Sequence, residues 1–243
     1  MTHTAPDWGA NAPKATIYSL SDLAELAARL GSIDTYERRG DVIFLEDFES
    51  GLMRWTSDLT GVGGVLPSVT SEVAASGFQS IKSTTPTGDN NLVHLGHTHH
   101  LPILGRIGCE CAFRFTTNLF ADDTGYFQLA LNIYTGQRWK IASVRFRSFD
   151  LEYYDDSGNW IEIANINAGE LRFHRLKFVV DFLKSLYVRA IFDNVVFLLS
   201  APCRDIADTS PLGLDVDIYW HGPAAVGRDT WLDDFILTQN EPE

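Results

Sequence analysis

The chain has 243 residues, of which 45% are hydrophobic and 12% aromatic, and its formal net charge is −13. This length and composition suit one large β domain with an ample core. The acidic balance disfavours nucleic acid and anionic membranes as partners, because neutralising phosphate groups requires clusters of lysine and arginine, and no apolar run approaches the roughly 20 residues of a membrane helix.

The first 40 residues are predicted to form an extended arm and one short amphipathic helix. The start of the chain lacks the basic residues and apolar segment of a signal peptide, so we expect synthesis in the cytoplasm. The protein then either stays there or is released by lysis, as a virion component would be. Residues 19–30 have the pattern of a helix, since Ser19 and Asp22 resemble a capping box and apolar residues recur on one face. We expect this segment to bind a second copy or another protein subunit, the alternative being that it packs on its own domain. The predicted partner-binding residues are Trp8, Leu23, Leu26 and Leu30.

Residues 41–243 are predicted to form a β-sandwich, most clearly at residues 171–199. Leu176 and Phe178 fall on one side of an alternating run, and Arg175 and Lys177 fall on the other. A period of two is typical of a strand with one buried face. Further turns and alternating runs predict a three-stranded antiparallel meander, and about a dozen strands in all, which requires two packed sheets.

Four segments together resemble concanavalin A-like domains and carbohydrate-binding modules with a jelly-roll fold. They read EDFESGLMRW at 46–55, ASGFQSIK at 75–82, FHRLKFVVDF at 173–182 and WLDDFILT at 231–238. The resemblance spans roughly residues 42–240 and implies an all-β fold, a two-sheet antiparallel jelly-roll sandwich. It implies little about function, because such folds host lectins, hydrolases and virion proteins alike.

The resemblance also implies a structural calcium site where the opening and closing strands lie near each other. Asp47, Glu49 and Asp234 match the positions concerned, with Asp233 as an addition. Calcium prefers several oxygen ligands, including backbone carbonyl groups that a sequence does not show. The alternative is that these acids end their strands and face water.

A histidine cluster is a second candidate for metal binding. If the segment LVHLGHTHHL at 92–101 is a strand, His97 and His99 share one face. Two imidazoles at this spacing bind Zn²⁺ or Ni²⁺ when a third ligand completes the site, but no cysteine or histidine lies at a diagnostic spacing. The alternative is a polar strand or loop, so the role of the cluster stays open.

Aromatic residues in the middle of the chain are candidates for binding a glycan. Trp139, Tyr154 and Trp160 are predicted to form a platform that stacks on the apolar face of a sugar ring. Tyr153 points to the opposite face from Tyr154 and is excluded from the same platform. The alternative is packing within the sheets, where aromatic residues are favoured without any ligand.

No pattern in the chain indicates catalysis. The E-x-D-x-x-E strand of concanavalin A-like glycoside hydrolases is absent, as are nucleophile-elbow and phosphate-binding motifs. Cys109, Cys111 and Cys203 lack the spacing of a disulfide framework and are predicted to be buried thiols. We therefore predict that the protein is not an enzyme.

Three classes of function remain. The preferred hypothesis is a non-enzymatic structural or assembly protein, namely a bacteriophage virion component that decorates a capsid or tail. The alternative is a glycan-binding module or lectin, and the third is a glycoside-active enzyme. The missing export signal, the acidic surface and the arm favour the first.

Overall fold

A computed structural model describes residues 40–100, 103–116, 125–166, 168, 171–222 and 227–242. Within these ranges the protein is all-β, with strands and no helix. The described part of the chain accordingly contains no helix long and apolar enough to cross a membrane. The predicted arm and helix of residues 1–39, including Trp8, Leu23, Leu26 and Leu30, lie outside the described residues.

The described residues form sixteen strands, which exceeds the dozen expected because several edge strands are short. In chain order they are β1 (Asp41–Glu46), β2 (Thr56–Val62), β3 (Val65–Thr70), β4 (Ser80–Thr84), β5 (Thr87–His99), β6 (Arg106–Phe115), β7 (Tyr126–Tyr134), β8 (Arg138–Arg147), β9 (Asp150–Tyr154), β10 (Trp160–Asn165), β11 (His174–Asp181), β12 (Leu186–Phe192), β13 (Val195–Leu198), β14 (Arg204–Ala207), β15 (Gly213–His221) and β16 (Asp229–Gln239).

The strands form two antiparallel sheets of eight strands each. The first has the order β13-β12-β11-β6-β16-β4-β3, with β1 beside β16, and the second has the order β10-β9-β8-β7-β15-β5-β2, with β14 beside β8. The opening strand β1 therefore pairs with the closing strand β16, as the resemblance implied. Long crossovers between the sheets bring residues from distant parts of the chain onto one surface.

The core lies between the two sheets and follows from alternation along the strands. On β7, Phe127 and Leu129 are buried in the core, whereas Tyr126 and Gln128 point away from it. The ring of Phe113 on β6 stacks on that of Phe127, with 4.2 Å between ring centroids, and so joins the sheets. Burying one face of each strand is the favourable term that drives the sheets together.

The meander at residues 171–199 is confirmed as β11, β12 and β13, but the prediction that only one face is buried is wrong. Every residue of β11 is buried, including the charged ones. The ammonium group of Lys177 lies 2.8 Å from the carboxylate of Glu241, which also lies 2.5 Å from the guanidinium of Arg189. Charge pairing with the end of the chain allows these groups to leave water.

The three cysteines are free and buried, as predicted. Burial raises the pKa of the Cys203 thiol to about 12, so that thiol is protonated at neutral pH. Burial also raises the pKa of Cys109 and of Cys111 well above the ordinary range. Thiols held in this form pack as small apolar groups and are poor nucleophiles.

Candidate functional site

A row of polar side chains crosses the outer face of the second sheet. Tyr219 on β15, a central strand, lies directly opposite Gln128 on β7 and His94 on β5. The row continues to Arg145 on β8 and to Asp58 on β2. Side chains directly opposite each other in antiparallel strands have Cβ atoms about 4.5–5.5 Å apart, so these five form a continuous surface.

A depression of about 230 Å³ lies beside this row. Its floor is low because Ala130 and Ser143, which face each other across β7 and β8, have small side chains. Larger side chains form the walls. The lining residues are Gln128, Ala130, Asn132, Trp139, Ile141, Ser143, Tyr154, Trp160 and Tyr219.

The three aromatic residues predicted to bind a glycan all line this depression. Trp160 lies directly opposite Tyr154 across the hairpin of β9 and β10, with 5.1 Å between ring centroids. The ring of Trp139 stacks on that of Tyr134 at 5.7 Å. Tyr153 packs against the core on the other face of β9. The structure therefore assembles the platform, while glycan binding by it stays a prediction.

Asp217 joins the row to the aromatic wall through hydrogen bonds. It accepts one from His94 Nε2 at 2.7 Å and one from Asn132 Nδ2 at 2.6 Å. The Asn132 side-chain oxygen in turn accepts a hydrogen bond from Trp139 Nε1 at 3.0 Å. Partly buried networks of this kind hold their members in one orientation, so the imidazole and the indole are fixed by the same carboxylate.

His94 and Tyr219 form a pair that is suited to moving protons. Burial alone would lower the pKa of His94, but the hydrogen bond and charge of Asp217, helped by Asp58, raise it above the usual value. The Tyr219 ring stacks on the imidazole at 4.8 Å, and burial together with the charge of Asp217 raises the pKa of its phenol. The pair therefore offers a protonated phenol beside an imidazole whose pKa is raised above its usual value.

Arg145 supports the platform from the row. Its guanidinium forms an ion pair with Glu152 and lies 4.1 Å from the ring centroid of Trp160. It also lies 5.3 Å from the ring of Tyr126. A guanidinium stacked on an aromatic face is attracted by the ring quadrupole, so Arg145 holds the indole of Trp160 in place.

No motif in the sequence predicted Gln128, Asn132, Asp217 and Tyr219 as site residues. The segment DVDIYWH at 215–221 was predicted only as a strand. In this segment every second residue lies on the outer face of the sheet, and these residues include Asp215, Asp217 and Tyr219. Because one polar face is ordinary for a strand of an antiparallel sheet, this alternation by itself did not indicate a site.

The carboxylates predicted to bind calcium take other partners. Glu49 accepts hydrogen bonds from the backbone amides of residues 78 and 79, and Asp47 accepts one from the amide of Glu49. Asp234 is paired with Arg175 at 2.5 Å. No three His, Cys, Asp or Glu side chains of the described ranges group as metal ligands. The geometry thus gives the calcium hypothesis no support, and calcium binding stays a prediction.

Asp233, the fourth acid of that set, also serves the backbone. It accepts hydrogen bonds from the amides of Ala75 and Ser76. Burial, followed by the charge of Asp234, raises the pKa of Asp233 to about 7. These carboxylates attach the loop at residues 75–79 to the end of the sandwich.

Comparisons with known proteins place the fold. No family model matches the chain, and no curated protein matches it. Among solved structures it is similar to the cellulose induced protein Cip1, at 16% identity and a TM-score of 0.59, covering 80% of this chain and 96% of that one. It is also similar to an endo-β-1,4-glucuronan lyase from the fungus Trichoderma reesei, at 16% identity and a TM-score of 0.57, covering 82% and 96%.

A third similar structure is a carbohydrate esterase from the Shiga toxin-encoding bacteriophage phi24B. The identity is 14% and the TM-score 0.50, covering 77% of this chain and 90% of that one. At such identities the likeness shows the fold alone. It confirms the predicted two-sheet sandwich of the carbohydrate-binding-module and concanavalin A-like kind.

The prediction that the protein is not an enzyme is contradicted by these comparisons. The same sandwich carries a lyase and an esterase, neither of which is a glycoside hydrolase. The prediction rested on the missing pair of carboxylates that glycoside hydrolysis uses. A lyase cleaves by elimination, so the missing pair does not exclude this chemistry.

Proposed function

We propose that the outer face of the second sheet binds a polysaccharide. The observation that carries this proposal is the convergence of Trp139, Tyr154 and Trp160 on one depression beside a row of hydrogen-bonding side chains. Aromatic rings stack on the apolar face of a sugar, and neighbouring polar groups bind its hydroxyl groups. The carbohydrate-related proteins with the same fold support the proposal.

The shape of the site also favours a polymer. The depression of about 230 Å³ is open and smaller than the roughly 300 Å³ at which enclosed ligand pockets begin. Polar and aromatic side chains continue beyond it on both sides, at Tyr126 and His221 in one direction and at Tyr134 in the other. A chain lying across the sheet contacts all of them, whereas a compact ligand does not.

The test is binding of neutral and uronate-containing polysaccharides, measured by affinity electrophoresis and calorimetry. We expect Trp160→Ala and Trp139→Ala each to weaken binding by about fivefold, because stacking on an indole is worth about 1 kcal/mol. Phe78→Ala is the matched control, since Phe78 is an exposed aromatic on the loop between β3 and β4. Unchanged polysaccharide binding by both tryptophan variants would contradict the proposal.

A second candidate function is eliminative cleavage of a uronate-containing glycan. The observation that favours it is the stacked pair of Tyr219 and His94 with Gln128 directly opposite Tyr219. In an elimination the C5 proton of the uronate leaves, a C4–C5 double bond forms, the C4–O bond breaks, and the departing oxygen takes up a proton. No water, oxidant or reductant is consumed.

Each of the three side chains fits one part of that reaction. Neutral His94 donates a hydrogen bond from Nε2–H to Asp217, which leaves Nδ1, 3.6 Å from Asp58, as the base for the C5 proton. Protonated Tyr219 supplies the proton for the departing oxygen, and the Gln128 amide donates a hydrogen bond to the uronate carboxylate. Positioned acids and bases contribute about 10²–10⁴-fold to such a rate.

This candidate is tested by the ultraviolet absorbance of the unsaturated product formed from glucuronan, alginate or a similar polyuronate. We expect Tyr219→Phe to abolish the rise in absorbance while leaving polysaccharide binding nearly unchanged. Tyr134→Phe is the control, because Tyr134 lies at the edge of the same face and stacks on Trp139. Binding without any product would leave glycan binding as the function.

The assembly role as a virion component stays a prediction. The residues expected to carry it lie within 1–39, outside the described residues. Its test is separate from the glycan assays, namely whether deletion of residues 1–31 changes the mass of the protein in light scattering or its association with particles. An unchanged mass and unchanged association would contradict the assembly role.

A further inference from the structure

A second depression, of about 240 Å³, lies at one end of the sandwich and is lined by histidines that the glycan face does not use. His97 and His99 lie on the same side of β5, and His94 lies on the other side, towards the glycan face. The depression also contains Phe44, from β1, and the side chain of Arg54. Nothing in the proposed glycan site explains why imidazoles gather here.

The protons on both imidazoles are assigned by their hydrogen bonds. His97 Nδ1 lies 2.7 Å from the backbone oxygen of Arg54, and His99 Nδ1 lies 2.6 Å from the backbone oxygen of His100. A carbonyl oxygen only accepts, so in each ring Nδ1 carries the proton and Nε2 keeps its lone pair. The Nε2 atom of His97 is buried and has no hydrogen-bond partner among the described residues.

We propose that His97 and His99 bind a divalent transition-metal ion through their Nε2 atoms. An imidazole whose other nitrogen donates to a backbone carbonyl is the usual arrangement of a metal-binding histidine, because that bond fixes both the tautomer and the ring. The two ring centroids lie 6.2 Å apart on one strand face. Water completes the coordination shell, since the described residues add no third His, Cys, Asp or Glu ligand.

The surroundings hold the first of these rings still. The His97 imidazole stacks on the Phe44 ring, with 4.0 Å between centroids, and lies 5.3 Å from the Trp55 ring. The rings of Phe44 and His99 are also arranged edge to face, with 6.3 Å between their centroids. A ligand whose orientation is fixed by packing loses little freedom when the metal binds.

The charges nearby decide which ions the site accepts. The Arg54 guanidinium lies 4.1 Å from the Phe44 ring centroid and opposes any cation, although Glu46 at 3.9 Å partly offsets its charge. Calcium and magnesium require several oxygen ligands, which this pair does not supply. Ions that prefer imidazole, such as Zn²⁺, Ni²⁺ and Cu²⁺, gain enough from nitrogen ligands to bind here.

A small hydrogen-bonding ligand is the competing occupant. A hydroxyl or amine donor satisfies one lone pair at a time, whereas a metal ion takes both lone pairs at once. The two cases differ in experiment. A shared metal ion requires both histidines, whereas a ligand with one donor group needs only one of the two imidazoles.

The experiment is calorimetric titration of the full chain with Zn²⁺ in a His3→Ala background, which removes the imidazole near the start of the chain. We expect one equivalent to bind, and His97→Phe and His99→Ala each to weaken binding by about tenfold or more, the scale of loss at metal sites. His97→Phe keeps an aromatic ring on Phe44 and so guards against a folding defect. His100→Ala is the control, because the His100 side chain is exposed and only its backbone oxygen is used.

Substituting Co²⁺ provides a second readout, since its visible spectrum reports nitrogen ligands directly. Equal Zn²⁺ affinity in the wild type, His97→Phe and His99→Ala, or no binding by any of them, would overturn the proposal. A loss in only one of the two variants would also overturn it, because an ion held by both Nε2 atoms requires both imidazoles. Polysaccharide binding is expected to be unchanged in these variants, which separates this site from the proposed glycan site.

Discussion

The rings of Tyr219 and His94 are stacked, with centroids 4.8 Å apart and planes 19° from parallel. The two residues are directly opposite each other on β15 and β5. Asp217, which holds the imidazole, stands two positions before Tyr219 on the same face of β15. One central strand therefore supplies both the phenol and the carboxylate that control this imidazole.

The first prediction concerns the charge on His94. We expect an NMR titration to show a pKa above the usual value of about 6.5. In Asp217→Asn the effect of burial is opposed only by Asp58, so the pKa of His94 should fall relative to the wild type. The same pKa in both proteins would show that Asp217 does not govern the imidazole.

The raised pKa of His94 also has a consequence for stability. A histidine whose pKa is higher in the folded chain stabilises the fold fully below about pH 6.5, and this stabilisation is lost as the pH rises through the folded pKa. Urea unfolding of wild type and His94→Gln should therefore differ more at about pH 5.5 than at about pH 8.5. A difference that grows with pH would contradict the assignment.

A further prediction concerns the support of the aromatic platform. Glu152→Gln removes the charge that holds Arg145 against Trp160. We expect polysaccharide binding to weaken by about two- to fivefold, because a cation stacked on an exposed indole is worth about 0.5–1 kcal/mol. Glu162→Gln is the matched control, as Glu162 lies opposite Glu152 and is exposed. Equal losses in both variants would indicate a general charge effect.

The buried ion pairs that join Lys177 on β11 and Arg189 on β12 to Glu241 should be essential to stability. The Glu241 carboxylate lies 2.8 Å from the Lys177 ammonium and 2.5 Å from the Arg189 guanidinium, and Glu241→Ala removes it from both. We expect the free energy of unfolding to fall by about 3–5 kcal/mol, the cost of breaking a buried pair. Glu72→Ala, which breaks the exposed pair with Lys82, should cost less than about 1 kcal/mol. Similar losses in urea unfolding would contradict this view.

The last prediction concerns the carboxylates at the end of the sandwich. Glu49→Ala leaves two backbone amides of the loop at residues 78 and 79 without their acceptor, so we expect a loss of about 1–3 kcal/mol in thermal unfolding. Asp47→Ala, which affects one exposed amide and not two, should have a smaller effect. Calcium binding is tested in the same melts, because a chelator lowers the Tm if the ion is bound, and an unchanged melt contradicts it.

The strands could be predicted because their cause is local. A period of two in the side chains of residues 126–134 and 214–220 reflects burial of one sheet face, and both segments are strands in the structure. The same rule failed for β11, where alternation predicted an exposed face for Lys177. Its partner Glu241 is far along the chain, and no local pattern predicts such a pairing.

The candidate site was predicted only in part, for the same reason. Trp139, Tyr154 and Trp160 were recognised because stacking is a property of each residue type. Tyr219 and His94 were not, because their pairing depends on the register of two strands that are more than a hundred residues apart in sequence. Register is set by the packing of whole sheets, so it cannot be read from either segment alone.

The sequence by itself determined the all-β class and the sandwich, since both follow from alternation within a few neighbouring positions. The tertiary structure decided which outward residues meet: Asp217 with His94, Arg145 with Trp160, and Glu49 with backbone amides. These contacts join strands that only the sheet order makes neighbours. Chemistry at a surface depends on such neighbours, which is why the fold could be predicted and the row of residues across it could not.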